Sequence, residues 1–148
     1  MGSKKFISPN GWFNLTLPKN WEEYDDEGEE GTCAFFNTNN WTGNFRITPI
    51  KWDNLVDPNE DKAAKYIEQE LNNNKKATKI KIGNFDCVHY RKGLSQDGDD
   101  LVIYYWVTSK KDIVFICSFT IDKEQEQTEQ NKSEIQLVQD IIKSIKIQ

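Results

Sequence analysis

The stretch from Asp100 to Asp122 constrains the fold more than any other part of the chain. It contains two runs rich in β-branched and aromatic residues, 101–109 and 112–121, separated only by two lysines. Such runs predict β-strands, and the short polar separation predicts a hairpin. Period-2 alternation places apolar residues on both faces of each strand. Because such a strand needs cover on both faces, the hairpin is predicted to lie in the middle of a sheet, with helices or loops above and below it.

The rest of the chain supplies further strands and two helices. Strands are predicted over residues 5–8 and 12–17, 32–36 and 44–52, and 78–82 and 85–94. Asp57 and Pro58 begin a helix-start signature, and the apolar stripe of this helix is predicted to be Ala63, Ala64, Ile67 and Leu71. A second helix is predicted to begin between residues 122 and 131 and to end near Ser144. Pro49 predicts a bulge or an edge position in its strand. The 148 residues are interpreted as one domain, 1–148.

Composition argues against two classes of partner, nucleic acid and anionic membranes, and the absence of targeting patterns predicts the compartment. The formal charge is −5, and only two of the 19 basic residues are arginine, so neither nucleic acid nor an anionic membrane is expected as a partner. The sequence contains no apolar run of membrane-spanning length and no signal-peptide pattern, which predicts a cytoplasmic protein. The three cysteines, Cys33, Cys87 and Cys117, are widely spaced and are predicted to be buried reduced thiols.

Catalytic motifs are absent from the sequence, and neither a cofactor nor a metal ion is expected. His89 is the only histidine. It shares a predicted strand face with Cys87, and Cys117 falls on a strand that could be a neighbour. A thiolate–imidazole pair would make a nucleophile or half of a metal site. The alternative, a packed cysteine and a hydrogen-bonded histidine, is preferred, so the protein is predicted not to be an enzyme.

One segment concentrates the acidity of the chain. Residues 22–30 contain seven carboxylates and no basic residue. A solvated loop is the first interpretation. The second is a docking surface for a basic protein partner, formed by Asp25, Asp26, Glu29 and Glu30.

The stretch from Trp41 to Arg46 is the other candidate binding region. A tryptophan beside glycine, asparagine and arginine has the composition of an interaction hot spot. The candidate binding residues in this region are Trp41, Gly43, Asn44 and Arg46, with Trp21 and Tyr24 as neighbours. The alternative is that Trp41 caps the core while Arg46 pairs with a nearby acid.

Two short motifs carry a family resemblance. The stretch 13–18, Phe-Asn-Leu-Thr-Leu-Pro, followed by Trp21, and the ending 141–145, Ile-Ile-Lys-Ser-Ile, resemble the PsbP-like superfamily. The stretch 41–47 is similar to that of an uncharacterised bacterial branch. The resemblance implies an α+β fold in which an antiparallel sheet is sandwiched between helices in three α/β/α layers. It also implies a binding role and no shared catalytic residues.

Three hypotheses for function follow. The first is a non-enzymatic binding domain that engages another protein in a bacterial cell, in a chaperone, assembly or immunity-like role. The second is a small-ligand-binding domain with an aromatic-lined pocket between sheet and helix. The third is an enzyme that depends on Cys87 and His89. The oligomeric state is left open.

Overall fold

A computed structural model describes residues 2–9, 11–24, 31–39, 42–51, 62–83, 85–110 and 113–147 of the chain. These ranges form ten strands, two α-helices and a short 3-10 helix, Lys123–Gln125. The strands are β1 (Ser3–Ile7), β2 (Phe13–Pro18), β3 (Trp21–Tyr24), β4 (Cys33–Asn37), β5 (Gly43–Lys51), β6 (Thr78–Ile82), β7 (Phe85–Gln96), β8 (Asp99–Lys110), β9 (Ile113–Asp122) and β10 (Lys146–Ile147). The helices are α1 (Lys62–Asn73) and α2 (Glu129–Lys143).

The strands form two sheets. A small sheet has the order β1-β2-β10, and a seven-stranded sheet has the order β3-β4-β5-β9-β8-β7-β6. All neighbouring strands are antiparallel. The β8–β9 hairpin pairs from Leu101 opposite Asp122 to Lys110 opposite Ile113, and β9 takes the central position of the large sheet. The prediction that this hairpin lies at the middle of an antiparallel sheet is confirmed.

The two faces of the large sheet carry separate apolar clusters. On one face, buried side chains such as Trp106 and Phe115 pack with Ile141 of α2 and with the inner face of β2. On the other face, the next residue along β8, Val107, packs with Ile67 of α1. Alternation along each strand therefore sends neighbouring residues to different helices. The faces are called the α2 face and the α1 face below.

Several local predictions are corrected by the structure. Glu22 and Glu23 belong to the edge strand β3 and not to a loop; Glu22 also forms an ion pair with Lys4, at 3.0 Å between Nζ and Oε1. An edge strand tolerates charged side chains, which explains the difference. Ala64 is exposed and lies outside the buried stripe of α1. The helix-start signature at residues 57–60 lies outside the described residues.

Other predictions hold in the details of the structure. The pairing of β5 with β4 ends at Ile47, so Pro49 has a described partner strand only on the β9 side, consistent with its predicted edge position. The helix α2 begins after its N-cap Thr128, whose side chain accepts a hydrogen bond from the Asn131 backbone, and it ends at Lys143, before its C-cap Ser144. No helix in the described ranges combines the length and the apolar character needed to cross a bilayer.

The β7–β8 hairpin is longer than predicted. The strand predicted over residues 85–94 continues to Gln96, which pairs with Asp99 across a two-residue turn. The turn residues Asp97 and Gly98 have φ angles of 51° and 84°, the left-handed conformation that a tight hairpin turn requires and that Asp and Gly tolerate. Residues 91–100 are all exposed, so this end of the hairpin extends beyond the core.

Candidate binding site

The helix α1 covers only part of its face of the sheet. Side chains of directly paired strand residues lie on the same face, so each row of paired residues can be followed across the sheet. The apolar cluster under α1 includes Tyr90, Val107 and Val114 of the sheet. Two further rows on the same face lie outside that cluster: Asn44, Thr120, Ile103 and Lys92, and then Asp122, Leu101 and Leu94. All of these side chains are half-buried or exposed.

A concavity of about 540 Å³ lies over these rows. The lining residues that the strands contribute on the α1 face are called the open floor: Asn44, Arg46, Leu94, Leu101, Ile103 and Thr120. The centre of the open floor is aliphatic, from Leu101 and Ile103 of β8. Polar groups flank this centre, with Asn44 and Arg46 on the β5 side. An apolar centre inside a polar rim is the usual composition of a protein–protein interface.

Gly43 supports the open floor through the backbone. A Cβ atom at this position would lie 2.4 Å from the Thr120 carbonyl oxygen and 2.6 Å from Cγ2 of Ile121. Only glycine therefore allows β5 to approach β9 this closely. Gly43 also lines the concavity, and the structure gives a packing reason for a glycine at this position.

Tyr24 shares a sheet face with Arg46. Tyr24 pairs with Ala34, and Ala34 pairs with Arg46, which places the three residues in one row. The Tyr24 ring packs edge-on against Phe36, with 5.8 Å between the ring centroids. Of the residues predicted from sequence, the structure thus brings Tyr24, Asn44 and Arg46 to the same face.

Trp21 is a core residue, and its predicted place beside the binding region is corrected. It is fully buried and packs edge-on against Phe45, with 6.4 Å between the ring centroids. Trp21 and Phe45 both belong to the α2-face cluster, so Trp21 is separated from Arg46 by the sheet itself. The predicted site residues Asp25, Asp26, Glu29, Glu30 and Trp41 lie outside the described residues.

A buried carboxylate connects α2 to the two strands that bracket Trp41 in the chain. Glu134 is only 2% exposed, and its Oε2 accepts a hydrogen bond of 2.9 Å from the side-chain amide of Asn37, at the end of β4. Burial raises the pKa of Glu134, and hydrogen bonding by Asn37 and by Thr42, which precedes β5, opposes the rise. Sequence reasoning missed Glu134. The available signal was its spacing, since it lies four residues before Val138 on the apolar side of α2.

The cysteine–histidine group is arranged as part of the packing. Cys87 is fully buried, and burial raises the pKa of both Cys87 and Cys117, which disfavours a thiolate at neutral pH. The His89 ring stacks on Trp106, with 5.0 Å between the ring centroids, and its Nδ1 lies 2.9 Å from the carbonyl oxygen of Tyr105. All three cysteines are free and buried, as predicted. Within the described ranges, no group of three or more His, Cys, Asp or Glu could hold a metal ion.

Solved structures share this fold. A crystal structure of a protein from Bacteroides thetaiotaomicron is similar with a TM-score of 0.79 and 32% identity, covering 100% of this chain and 49% of that one. This chain therefore spans about half the length of that relative. The Ran-binding protein Mog1p of Saccharomyces cerevisiae is similar with a TM-score of 0.60 and 12% identity, covering 99% and 96% of the two chains. LpqN of Mycobacterium tuberculosis, described as involved in cell envelope biogenesis, has a TM-score of 0.57 and 13% identity, with 99% and 90% covered.

The chain therefore shares a fold with Mog1p and LpqN, which agrees with the antiparallel α+β fold that the sequence resemblance implied. No curated protein sequence matches the chain. One sequence family, described as "Domain of unknown function (DUF3805)", matches residues 1–148. The chain belongs to the DUF3805 family.

Proposed function

We propose that this protein is a non-enzymatic binding domain that engages a protein partner through the open floor. The observation that carries the proposal is the part of the α1 face that no described element covers, where Leu101 and Ile103 are half-buried beside Arg46. Apolar side chains on a sheet face normally lie under a covering element. A partner that covers them would gain apolar contact at the centre and hydrogen bonds at the rim.

The two regions singled out in the sequence extend the proposed surface. Trp41 directly precedes Thr42, which lines the concavity, and Asp25 directly follows Tyr24, which shares the row of Arg46. Both regions therefore leave the described structure close to the α1 face. In the proposal Trp41 contributes an aromatic anchor, and Asp25, Asp26, Glu29 and Glu30 attract a basic patch of the partner.

The fold and composition are compatible with this role. Mog1p is named as a Ran-binding protein, which is an example of protein binding on the same fold. The proposal includes the three-layer α/β/α arrangement of the PsbP-like type, supported by the separate clusters under α1 and α2. It places the protein in the cytoplasm of a bacterium, with neither nucleic acid nor a membrane as the partner.

Charge reversal tests the acidic part of the surface. We expect a variant with lysine at Asp25, Asp26, Glu29 and Glu30 to keep its fold and to lose capture of its partner from a lysate of the native cell. A matched control reverses four exposed acids elsewhere: Glu68, Asp86, Glu129 and Asp140. Capture that is unchanged in the first variant, or equally reduced in the control, would count against the proposal.

A second candidate function rests on the size of the concavity. Its volume of about 540 Å³ falls within the range of small-molecule sites, roughly 300–1,000 Å³. The predicted aromatic lining is not found, since the described lining residues are aliphatic or polar. A thermal-shift screen separates the two functions, because a small ligand bound only by the folded state raises the melting temperature of the isolated domain.

A further inference from the structure

We infer, resting on the proposed function, that the partner protein engages this chain through a short extended segment that pairs as an added strand with the free edge of β7. The pairing of β6 with β7 stops at Thr78, which lies opposite His89. Strand β7 continues to Gln96. Over residues 90–96, called the open edge below, β7 therefore has a described neighbour on the β8 side alone. An edge of this kind is a template on which a partner can add a strand.

The turn that ends β7 decides which backbone groups of the open edge point outward. In an antiparallel hairpin with a two-residue turn, the residues that flank the turn form a hydrogen-bonded pair. Gln96 and Asp99 flank this turn, so the even-numbered residues of β7 bond to β8. The odd-numbered residues past the end of β6 are Arg91, Gly93 and Ser95. Their backbone N–H and C=O groups point away from β8 and form no hydrogen bond with another described residue.

The polar side chains of the open edge do not guard it. Charged side chains that project over an edge normally discourage the addition of a strand. Here the Arg91 guanidinium is held by two hydrogen bonds to Glu126, whose carboxylate also accepts from Tyr104 of β8 at 3.2 Å. The Ser95 hydroxyl donates to Asp100 of β8 at 2.7 Å. Both side chains are thus engaged on the β8 side, away from the free backbone groups.

Lys92 is also held on the β8 side, which leaves Leu94 as the apolar side chain at the open edge. The Lys92 Nζ lies 5.8 Å from the ring centroid of Tyr105 of β8, a cation–π contact. Leu94 is 44% exposed and belongs to the open floor. A strand added to β7 would place a side chain directly beside Leu94 and extend the open floor by one strand.

The side chains of the open edge indicate what the added segment should contain. We expect antiparallel pairing, as between all neighbouring strands of the sheet. The residue opposite Leu94 then lies on the α1 face and should be apolar. The residue opposite Gly93 lies on the other face and can be large, because a Cβ atom at Gly93 would meet nothing within 4 Å and a concavity of about 220 Å³ adjoins it.

Charge and available space set the length and the ends of the segment. Its paired part is limited to the positions opposite residues 91–95, because Thr78 begins β6 just beyond them. The segment therefore lies in line with β6 without overlapping it. At the turn end the edge carries exposed Asp97, whereas exposed Lys75 and Lys76 precede β6 at the other end. An antiparallel segment should accordingly be basic near its N-terminal end and acidic near its C-terminal end.

Selection from a phage-displayed library of random heptapeptides tests the added strand on the isolated domain. Gly93→Pro removes an outward N–H that has no described partner, so the fold should tolerate it while the edge is blocked. We expect the selected peptides to bind Gly93→Pro about tenfold or more weakly than the wild type, and to bind the control Gly93→Ala as the wild type. A library that yields no binder, or binders that a folded Gly93→Pro variant retains at wild-type affinity, would overturn the inference.

Amide hydrogen exchange provides a second readout that does not depend on any variant. Binding of a selected peptide should slow exchange at the outward amides of Arg91, Gly93 and Ser95. The amides of Lys92 and Leu94 already bond to β8 and serve as the internal control, so their exchange should change less. Unchanged exchange at the three outward amides in the presence of saturating peptide would contradict the added strand.

Capture of the partner from a lysate of the native cell separates this inference from the proposed function. Both predict that Arg46→Ala weakens capture, and only the added strand predicts that a folded Gly93→Pro variant weakens it as well. Capture that is lost in Arg46→Ala and retained in Gly93→Pro would overturn the added strand and leave the open floor as the binding surface. Capture that Arg46→Ala leaves unchanged would count against the proposed function itself.

Discussion

Asn37 and Glu134 are joined by a hydrogen bond of 2.9 Å inside the protein, although 97 residues separate them along the chain. The contact fixes the end of β4 to the middle of α2. Hydrogen bonding by Thr42, which precedes β5, also lowers the pKa of this carboxylate. A buried acid of α2 is thus tied to the strand that precedes the proposed binding region in the chain.

Replacing Glu134 by glutamine should change how stability depends on pH. Burial raises the pKa of Glu134 in the folded state, so the folded protein binds its proton more tightly than the unfolded chain does. The wild type is therefore expected to lose stability as pH rises from the ordinary glutamate pKa of 4.5 through the folded-state pKa. Glu134→Gln removes this loss, so its free energy of unfolding should improve relative to wild type across that interval.

Chemical denaturation at a series of pH values measures this difference. The same change at an exposed glutamate of α2, Glu129→Gln, serves as the control for the loss of a carboxylate from this helix. A Glu134→Gln variant whose curve runs parallel to that of the wild type would show that Glu134 titrates normally.

The close approach of β5 to β9 predicts a specific cost at Gly43. Gly43→Ala should lower the free energy of unfolding by about 1–3 kcal/mol, because the new methyl group would overlap the Thr120 carbonyl oxygen. Gly93→Ala, where the surrounding space is open, should leave stability within about 0.5 kcal/mol of wild type or raise it. Equal stabilities for the two variants in urea denaturation would contradict the packing described at Gly43.

Substitution of Trp21 should lower stability, whereas substitution of Arg46 should weaken partner binding. Trp21→Ala removes a fully buried ring and should cost about 3–5 kcal/mol. Arg46→Ala, at a half-buried position on the open floor, should leave the fold intact and reduce partner capture. Thermal denaturation and quantified partner capture of both variants check these expectations. The milder Trp21→Phe variant should remain folded, and a loss of capture in it that exceeds the loss in Arg46→Ala would contradict the assignment of Trp21 to the core and of Arg46 to the binding surface.

The thiols should be unreactive in the folded protein. Burial raises the pKa of Cys33 to about 11, with a smaller contribution from Glu23, and it also raises the pKa of Cys87 and Cys117. Because the thiolate is the reactive form, a disulfide reagent at neutral pH should label none of the three rapidly, and all three after denaturation. A native thiol that reacts rapidly at Cys87 would revive the cysteine–histidine enzyme hypothesis.

The sequence predicts best where a segment determines its own structure. The β8–β9 hairpin and α2 were predicted because long apolar periodicities leave few alternatives. Strand β3 is not predicted from the sequence, because charged residues such as Glu22 and Glu23 are typical of a solvated loop. In the structure they belong to a strand because β3 lies at the edge of the sheet and its first residue, Trp21, is buried. Strand β10 was missed for a related reason, since its two residues pair with β2 from the far end of the chain.

The candidate site was predicted only in part, for the same physical reason. Asn44 and Arg46 stand out in sequence because they follow a tryptophan and a glycine. Leu94 and Ile103 look like ordinary strand residues, and they become site residues only because α1 stops short of their rows. Which strands become neighbours, and how far a helix covers them, depends on tertiary packing that a local pattern does not specify.

Site-specific photo-crosslinking shows whether a partner protein covers the open floor in the cell. Ile103 at the centre of the open floor is replaced by an aliphatic diazirine amino acid of similar size, and exposed Gln136 of α2 is replaced by the same group as a control. After irradiation in the native cell, the account predicts that the probe at 103 forms a defined adduct with one protein, that Arg46→Ala removes this adduct, and that the probe at 136 does not form it. Equal labelling at the two positions, or an adduct at 103 that survives Arg46→Ala unchanged, would contradict it.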